Sequence, residues 1–301
     1  MPTRAAASPA LSLAVLALTS ALWSGNAVVG RAIRSDVSPL VLASLQWLLA
    51  VLLLLPFVWR ELRASAPMIR RHWRQFAVLG VMSTATFAAV VLQAVQYTTA
   101  TNMALLNSSV PIWVMAVLWL RNGERPALRG LAGFAVSITG VAAIILKGSL
   151  DNLLALSING GDLLALLAMF VWAIFSVLLR ERPTGLSSFA YLVVSGSFGL
   201  AAVLPLLGMQ LAAGAAHIDW TTGVLLGLGY LVLFRTIIAT ATFNFGIDGV
   251  GPARAAPFVH LVPVFGATGA WLFLDERFYA YHFAGFALVI AGIVIANRRL
   301  A

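Results

Sequence analysis

The chain has 301 residues, 61% of them hydrophobic and 10% charged, with a net charge of +9 and no cysteine. Soluble globular chains carry about 25% charged and about 45–50% apolar residues, so a water-soluble enzyme, a disordered chain and a solenoid are excluded. Without cysteine there is no disulfide framework, no thiolate metal site and no cysteine nucleophile.

A helix crosses the hydrocarbon core with about 20 apolar residues, in a range of about 17–25, so uncharged stretches count the spans. Arg4 to Arg31 leaves 26 uncharged positions, one span, and Asp36 to Arg60 leaves 23, another. The apolar run Ala10–Ala21 follows Arg4 as in a secretory leader. It continues past Trp23-Ser24-Gly25-Asn26 to Gly30, however, and reads as a first helix. Arg74 to Arg121 leaves 46 positions, two spans joined by Gln96-Tyr97-Thr98-Thr99-Ala100-Thr101-Asn102. Arg129 to Lys147 and Asp162 to Arg180 leave 17 each, one short span apiece. Arg182 to Asp219 leaves 36, a span followed by a Gly/Ala-rich loop around Gly208 to His217. Trp220 to Phe245 is one span interrupted by Arg235, and Arg254 to Asp275 and Arg277 to Arg298 leave 20 positions each. The expected fold is an all-α polytopic membrane protein with ten transmembrane helices.

Short loops rich in Arg and Lys stay on the cytoplasmic side. If loops alternate, one side collects 14 basic residues, among them Arg60, Arg63, Arg70, Arg71, Arg74, Arg125 and Arg129. The other side holds four: Arg31, Arg34, Lys147 and Arg277. Both termini are therefore expected in the cytoplasm, with the chain in the inner (cytoplasmic) membrane. The positive charge faces anionic headgroups, which leaves no reason to invoke nucleic acid. Trp59, Trp73, Trp119, Trp220 and Tyr281 fall near helix ends, where amphipathic rings settle.

The sequence also repeats. Residues 100–147 align without a gap on 252–299, with 13 identities in 48 positions that include Pro111/Pro263, Trp119/Trp271, Glu124/Glu276, Gly133/Gly285 and Gly140/Gly292. Trp23 and Arg31 of the first helix match Trp172 and Arg180 of the sixth. The halves are 1–150 and 151–301, and five helices per half is an odd number, so the second half inserts upside down. Secondary transporters use such inverted repeats, with the substrate near the midplane where the halves meet.

Ala21-Leu-Trp-Ser-Gly-Asn26 resembles the opening motif of the drug/metabolite transporter superfamily in its EamA-type ten-helix branch. Val250-Gly-Pro-Ala-Arg-Ala-Ala-Pro-Phe-Val-His-Leu-Val-Pro263 resembles that family's entry into the ninth helix. Leu274-Asp-Glu276 with Gly285 and Gly292, and Asn122-Gly-Glu124 with Gly133 and Gly140, resemble its links into the last helix of each half. The resemblance implies exporters of amino acids, drugs and other metabolites, one branch exporting aromatic amino acids. It also implies that helices one to four and six to nine enclose the cavity, with five and ten peripheral.

Polar groups at membrane depth are costly and face a cavity or another helix. Spacing places Thr19, Trp23 and Asn26 on one face of the first helix, and Thr86, Gln93 and Tyr97 on one face of the third. The fourth helix carries Asn107, Ser108 and Ser109 before Pro111. Met169, Trp172 and Ser176 share a face of the sixth; Thr236, Thr240 and Asn244 share one of the eighth. His260 in the ninth is the repeat partner of Ser108. Arg235 is the strongest signal, since an arginine at the centre of a span costs about 2.5–3.5 kcal/mol and must face protein or water. The candidate substrate-binding residues are Asn26, Thr86, Gln93, Asn107, Trp172, Arg235, Thr240 and His260. Serine and threonine can instead bond a carbonyl one turn back, His260 can be a packing residue, and Arg235 can pair with backbone carbonyls or snorkel. Gly133, Gly140, Gly285, Gly292, Gly223 and Gly227 read as close-approach positions, and Pro111 and Pro263 as kinks.

The one lysine, Lys147, belongs to no phosphate-binding loop, which removes ATP drive by this chain. The ten acidic residues lie at or near loops, so the usual intramembrane carboxylate relay is missing. There is no G-x-S-x-G, no H-E-x-x-H and no buried acid pair for an intramembrane enzyme, and a channel does not require an inverted duplication. The expectation is a secondary transporter exporting small metabolites by alternating access, foremost aromatic or bulky apolar amino acids. The alternative is a proton-coupled exporter of drugs or other small organic solutes, with His260 as the proton carrier. The expected partners are a small-molecule substrate and the lipid bilayer; no cofactor or metal is expected, and one chain suffices.

Overall fold

Small hydroxyl residues cap the start of three of the long helices. The computed structural model describes residues 8–297 apart from 87–89, 92–93, 95–96, 99, 157–158 and 275–276. The Ser8, Ser187 and Thr221 hydroxyls accept the backbone N–H groups of Leu11, Ala190 and Val224, which would otherwise be orphaned at a helix start. The principal helices are α1 (Pro9–Ala32), α2 (Pro39–Ala64), α3 (Trp73–Gly80), α4 (Asn102–Asn122), α5 (Leu128–Ile145), α6 (Gly160–Arg180), α7 (Ser188–Ala212), α8 (Thr222–Val250), α9 (Leu261–Leu274) and α10 (Ala280–Asn297), with short helices at Ala66–Arg71 and Leu150–Leu154 between them. Seven of them, α2, α4 to α8 and α10, are long and apolar enough to cross a bilayer, and Pro9–Gly25 within α1 is a shorter apolar helix. Among the described residues the only β pairing is an isolated antiparallel bridge, Val37 to Ile218.

The loop expected from Gly208 begins only after Ala212. Nothing lies within 4 Å of where a Gly208 side chain would stand, and Met209 and Leu211 are exposed beside it, so the helix continues along an outward apolar face. Pro56 in α2 and Pro205 in α7 both sit inside their helices, as membrane helices tolerate. They are equivalent positions, since the displacement of 149 residues that carries Trp23 onto Trp172 also carries Pro56 onto Pro205.

The packing is written in matched pairs. Helix α1 packs on α8 and α9, while α6, its equivalent, packs on α3 and α4; α2 packs on α7, and α5 on α10. Small residues make the tightest contacts. A Cβ on Gly133 would stand 2.5 Å from the Gly292 carbonyl oxygen, and one on Gly140 would stand 2.6 Å from that of Gly285. The reciprocal approaches are equally close, so α5 and α10 touch backbone to backbone. With no hydrophobic drive between helices in lipid, such contact area is a principal source of association. Since Gly133 meets Gly292 and Gly140 meets Gly285, the two helices run antiparallel.

Candidate functional site

Residues equivalent under a two-fold rotation touch each other only on its axis, and three such pairs do. Trp23 and Trp172 lie edge to face with ring centroids 5.7 Å apart. His260 Nε2 lies 2.8 Å from the carbonyl oxygen of Ser108. The Trp47 ring stands 3.1 Å from where a Gly196 side chain would begin, and 47 and 196 are again 149 apart. The α5–α10 seam supplies the reciprocal glycine pairs around the same axis. Equivalent helices run antiparallel, so the axis lies across them, at half their height.

At that height four helices lose regular geometry. After Gly80, α3 turns π-helical over Val81–Thr86, and α8 does so over Leu231–Ile238; the two segments overlap under the repeat. Helix α4 breaks at Ser108–Ser109, before Pro111, and α9 is entered through Pro252–Ala255 and a 3-10 turn, Ala256–His260, before Pro263. The expected kinks therefore fall in the turn preceding each proline, where its missing N–H and its ring disrupt the helix. Single π turns concentrate at functional sites, and transporter sites are built at interrupted helices near the midplane.

Arg235 lies in the π segment of α8. Its neighbours one turn away on either side, Leu231 and Ala239, are 1% and 0% exposed, so this stripe faces protein. Arg235 itself is half-buried and has no hydrogen bond or ion pair among the described residues. Next to it, Thr236 accepts a 2.5 Å hydrogen bond from Gln46 Nε2; Gln46 precedes the axial Trp47, which fixes the depth of Arg235. The α1–α8 register agrees. Ser12 meets Gly249, Leu16 meets Gly246 and Thr19 bonds Thr242 at 2.8 Å, and continued about two turns this brings the Asn26 backbone level with Arg235.

The other candidates separate by environment. Trp172 is half-buried in a cluster with Trp23, Phe175 at 5.0 Å and Phe243 at 5.8 Å. Asn107, beside the break in α4, and Thr240 are half-buried with no hydrogen-bond partner among the described residues. His260 differs. It is 0% exposed, its Nδ1 lies 2.7 Å from Ser137 Oγ, and its Nε2 is bonded to Ser108. It serves as a fully bonded brace between α4, α5 and the entry to α9 in this structure, which is the packing role open to it from sequence. Gln93 and the Asn26 and Thr86 side chains lie outside the described residues. Thr19 bonds Thr242 and the Val15 carbonyl, and Ser176 bonds the Trp172 carbonyl, the back-bonding expected of hydroxyls. Phe243, which packs 5.0 Å from Trp23, and Ser137 were not legible as site residues: one is an ordinary apolar residue, the other a lone serine in a peripheral helix.

The two ends of the bundle are tied across the halves. At the arginine-rich end Arg121 of α4 meets Glu181, which follows α6, at 2.5 Å, and Glu61 accepts from the Ser187 hydroxyl and amide. Within the second half, Arg182 grips Asp248 bidentately at 2.7 and 2.9 Å, with its guanidinium over the Tyr191 ring. At the opposite end the Asp162 carboxylate, 4% exposed, accepts from Thr98 Oγ1, from Asn102 Nδ2 at 3.1 Å and from the Asn159 amide at 2.9 Å. Gly161 lets the backbone at Ala94 press against this turn, since a Cβ there would stand 2.7 Å from the Ala94 carbonyl oxygen. Asp219 N–H donates to the Asp36 carbonyl at 2.7 Å and Thr221 Oγ1 to the Asp36 carboxylate at 3.0 Å. Among the described residues no group of three or more His, Asp or Glu is arranged to hold a metal ion.

The model of the EamA-like transporter family matches the chain twice, over residues 11–146 and 159–298. A protein of Salmonella typhimurium named a probable amino-acid metabolite efflux pump is 30% identical over 92% of each chain. An uncharacterized transporter of Archaeoglobus fulgidus is 28% identical over 95% of this chain and 96% of its own. A solved crystal structure superposes with a TM-score of 0.77 over 96% of both chains at 15% identity, a likeness of fold alone.

Proposed function

Because this chain belongs to the EamA-like transporter family of the drug/metabolite transporter superfamily, we propose that it exports amino acids or closely related carboxylate metabolites by alternating access to one midplane site. The carrying observation is Arg235, a cation without a partner among the described residues, on an inward stripe at the height of the two-fold axis. A substrate carboxylate supplies the missing counter-charge, and a charge-assisted bidentate pair is the strong form of such a contact. The Trp23–Trp172–Phe243 cluster offers flat apolar walls to an aromatic or bulky side chain. Asn107 and Thr240 add polar contacts, and sequence spacing adds Asn26, Thr86 and Gln93 as candidates. The name of the Salmonella relative supports amino-acid metabolites as the cargo and export as the direction.

In this reading the chain crosses the inner membrane ten times, as halves 1–150 and 151–301, with both termini in the cytoplasm. The distribution of 14 basic residues against four supports that orientation. A single chain suffices, with substrate and bilayer as its partners. Transport runs down the substrate's own gradient. The proton-coupled alternative, a drug exporter working through His260, is less favoured because both ring nitrogens are already bonded.

The test is counterflow in proteoliposomes with purified protein and a panel of labelled amino acids, their decarboxylated amines and cationic drugs. Saturable counterflow of amino acids that the amines fail to inhibit supports the reading. Inhibition by cationic drugs equal to that by amino acids, or non-saturable flux, overturns it.

A further inference from the structure

Two adjoining cavities open at the arginine-rich end, away from the axial site. One, of about 210 Å³, lies between α4, α5, the entry to α9 and the end of α10; the other, of about 260 Å³, shares Leu118, Glu124, Ala253 and Arg254 with it. The first cavity is amphipathic along its depth. Its floor is apolar, formed by Pro111, Met115, Leu118 and Pro257, and its rim carries Arg125, Arg129 and Arg254 around one acid, Glu124. Arg125 and Arg129 are exposed, whereas Pro111 and Pro257 are buried, so charge lies outside and hydrocarbon inside.

Positive-inside bias accounts for arginines on these loops, but not for three of them around a cavity with an apolar floor. We propose that this cavity is a binding site for one anionic phospholipid of the cytoplasmic leaflet, its phosphate between Arg125 and Arg129 and its upper acyl chain over Met115, with Arg254, whose Nε and Nη2 donate to Asn297, lending its charge to the rim. Arginines match phosphate oxygens bidentately, and basic pockets between membrane helices on the cytoplasmic side suit acidic headgroups. A free anion satisfies the rim but leaves the floor uncovered; a zwitterionic lipid covers the floor but brings its own cation to the rim. Pro111 and Pro257 each stand three residues from an axial residue, Ser108 and His260, so an occupant wedges the outer ends of α4 and α9 one turn from the transport site. The placement in the cytoplasmic leaflet rests on the orientation proposed for the chain; the chemistry of the cavity does not.

Native mass spectrometry of the delipidated full-length protein tests this, with phosphatidylglycerol, phosphatidylcholine or inorganic phosphate added back. Phosphatidylglycerol should be retained at least fivefold more than phosphatidylcholine, and excess inorganic phosphate should not displace it. Arg125→Ala with Arg129→Ala should cut retention about tenfold, and Glu124→Gln should raise it. Met115→Trp keeps every arginine and fills the floor, and should also reduce retention, which keeps the proposal testable if the double variant folds poorly. Equal retention of the two lipids, displacement by phosphate alone, or unchanged retention in Met115→Trp overturns it. Because no transport is measured, failure of the export reading and failure of this one are told apart.

Discussion

Arg235 concentrates the chemistry of the molecule in one side chain. Under the displacement of 149 residues its equivalent is Thr86, so only one half carries the cation, and a carboxylate has one half to bind to. A hydrogen bond to a charged group contributes about 1.5–3 kcal/mol, and about 1.4 kcal/mol is a factor of ten. Arg235→Gln should therefore lower kcat/KM for amino acids about 10- to 100-fold in counterflow while decarboxylated amines gain relative to them, and Arg235→Lys should restore part of the loss. Equal losses for acids and amines would show that the arginine is structural. His260 makes the opposite case. A carbonyl only accepts, so Nε2 carries the proton toward Ser108 and Nδ1 accepts from the Ser137 hydroxyl, bonds the ring makes without charge. His260→Ala should cost about 1–3 kcal/mol of stability, read by thermal melting. Flux through the unaltered protein should ignore an imposed pH gradient; a gradient-dependent rate abolished in His260→Ala would restore the proton-coupled reading.

Among the elements, the glycine seams and the two proline kinks were legible and the π segments were not. Gly133, Gly140, Gly285 and Gly292 are readable because a repeated glycine seven residues apart has few uses in a membrane helix other than close approach. Gly140→Val places branched carbons against the Gly285 carbonyl oxygen and should destabilise the protein by about 1–3 kcal/mol, whereas Gly266→Val, with nothing within 4 Å, should leave the melting temperature unchanged. The π segments carry no comparable signature. Their extra residue per turn is held by tertiary contacts, such as Thr236 on Gln46 and Gly80 against the Ser195 carbonyl, none of which a local pattern encodes. The polar stripe Thr236, Thr240, Asn244 assumed regular α-helix through Leu231–Ile238, and the structure distributes it differently. Thr236 and Asn244 are 0% exposed while Thr240 is half-buried. Deleting Leu233, an exposed residue in that segment, should remove the extra residue and return it to regular α-helix, leaving the flanking turns in phase and Phe243 against Trp23 and Trp172 while moving Arg235, which sits in the widened turn. Helix content by circular dichroism should stay constant while amino-acid counterflow falls to background; normal counterflow would detach the π turn from function.

For the molecule as a whole, the matched packing has a mechanical consequence. Each half makes many of its contacts with the other, and the ties at the two ends join residues of opposite halves: Arg121 with Glu181 at one, Ser38 with His217 and Asp36 with Asp219 at the other. If the halves rock about the axial layer of Trp23, Trp172, Ser108 and His260, a working cycle must break each set of ties in turn, never both together. The absence of native cysteine makes this testable with introduced pairs. Arg121→Cys with Glu181→Cys, bridged by a short thiol-reactive linker, should reduce counterflow by at least tenfold. Ser38→Cys with His217→Cys should do the same independently, and cleaving a reducible linker should restore both. A bridge at one end should still allow a labelled substrate to bind, since it holds one of the two accessible states rather than destroying the site. Full counterflow with either bridge closed, checked by mass to be complete, would mean that the bundle does not part there, and alternating access through these two ends would be wrong.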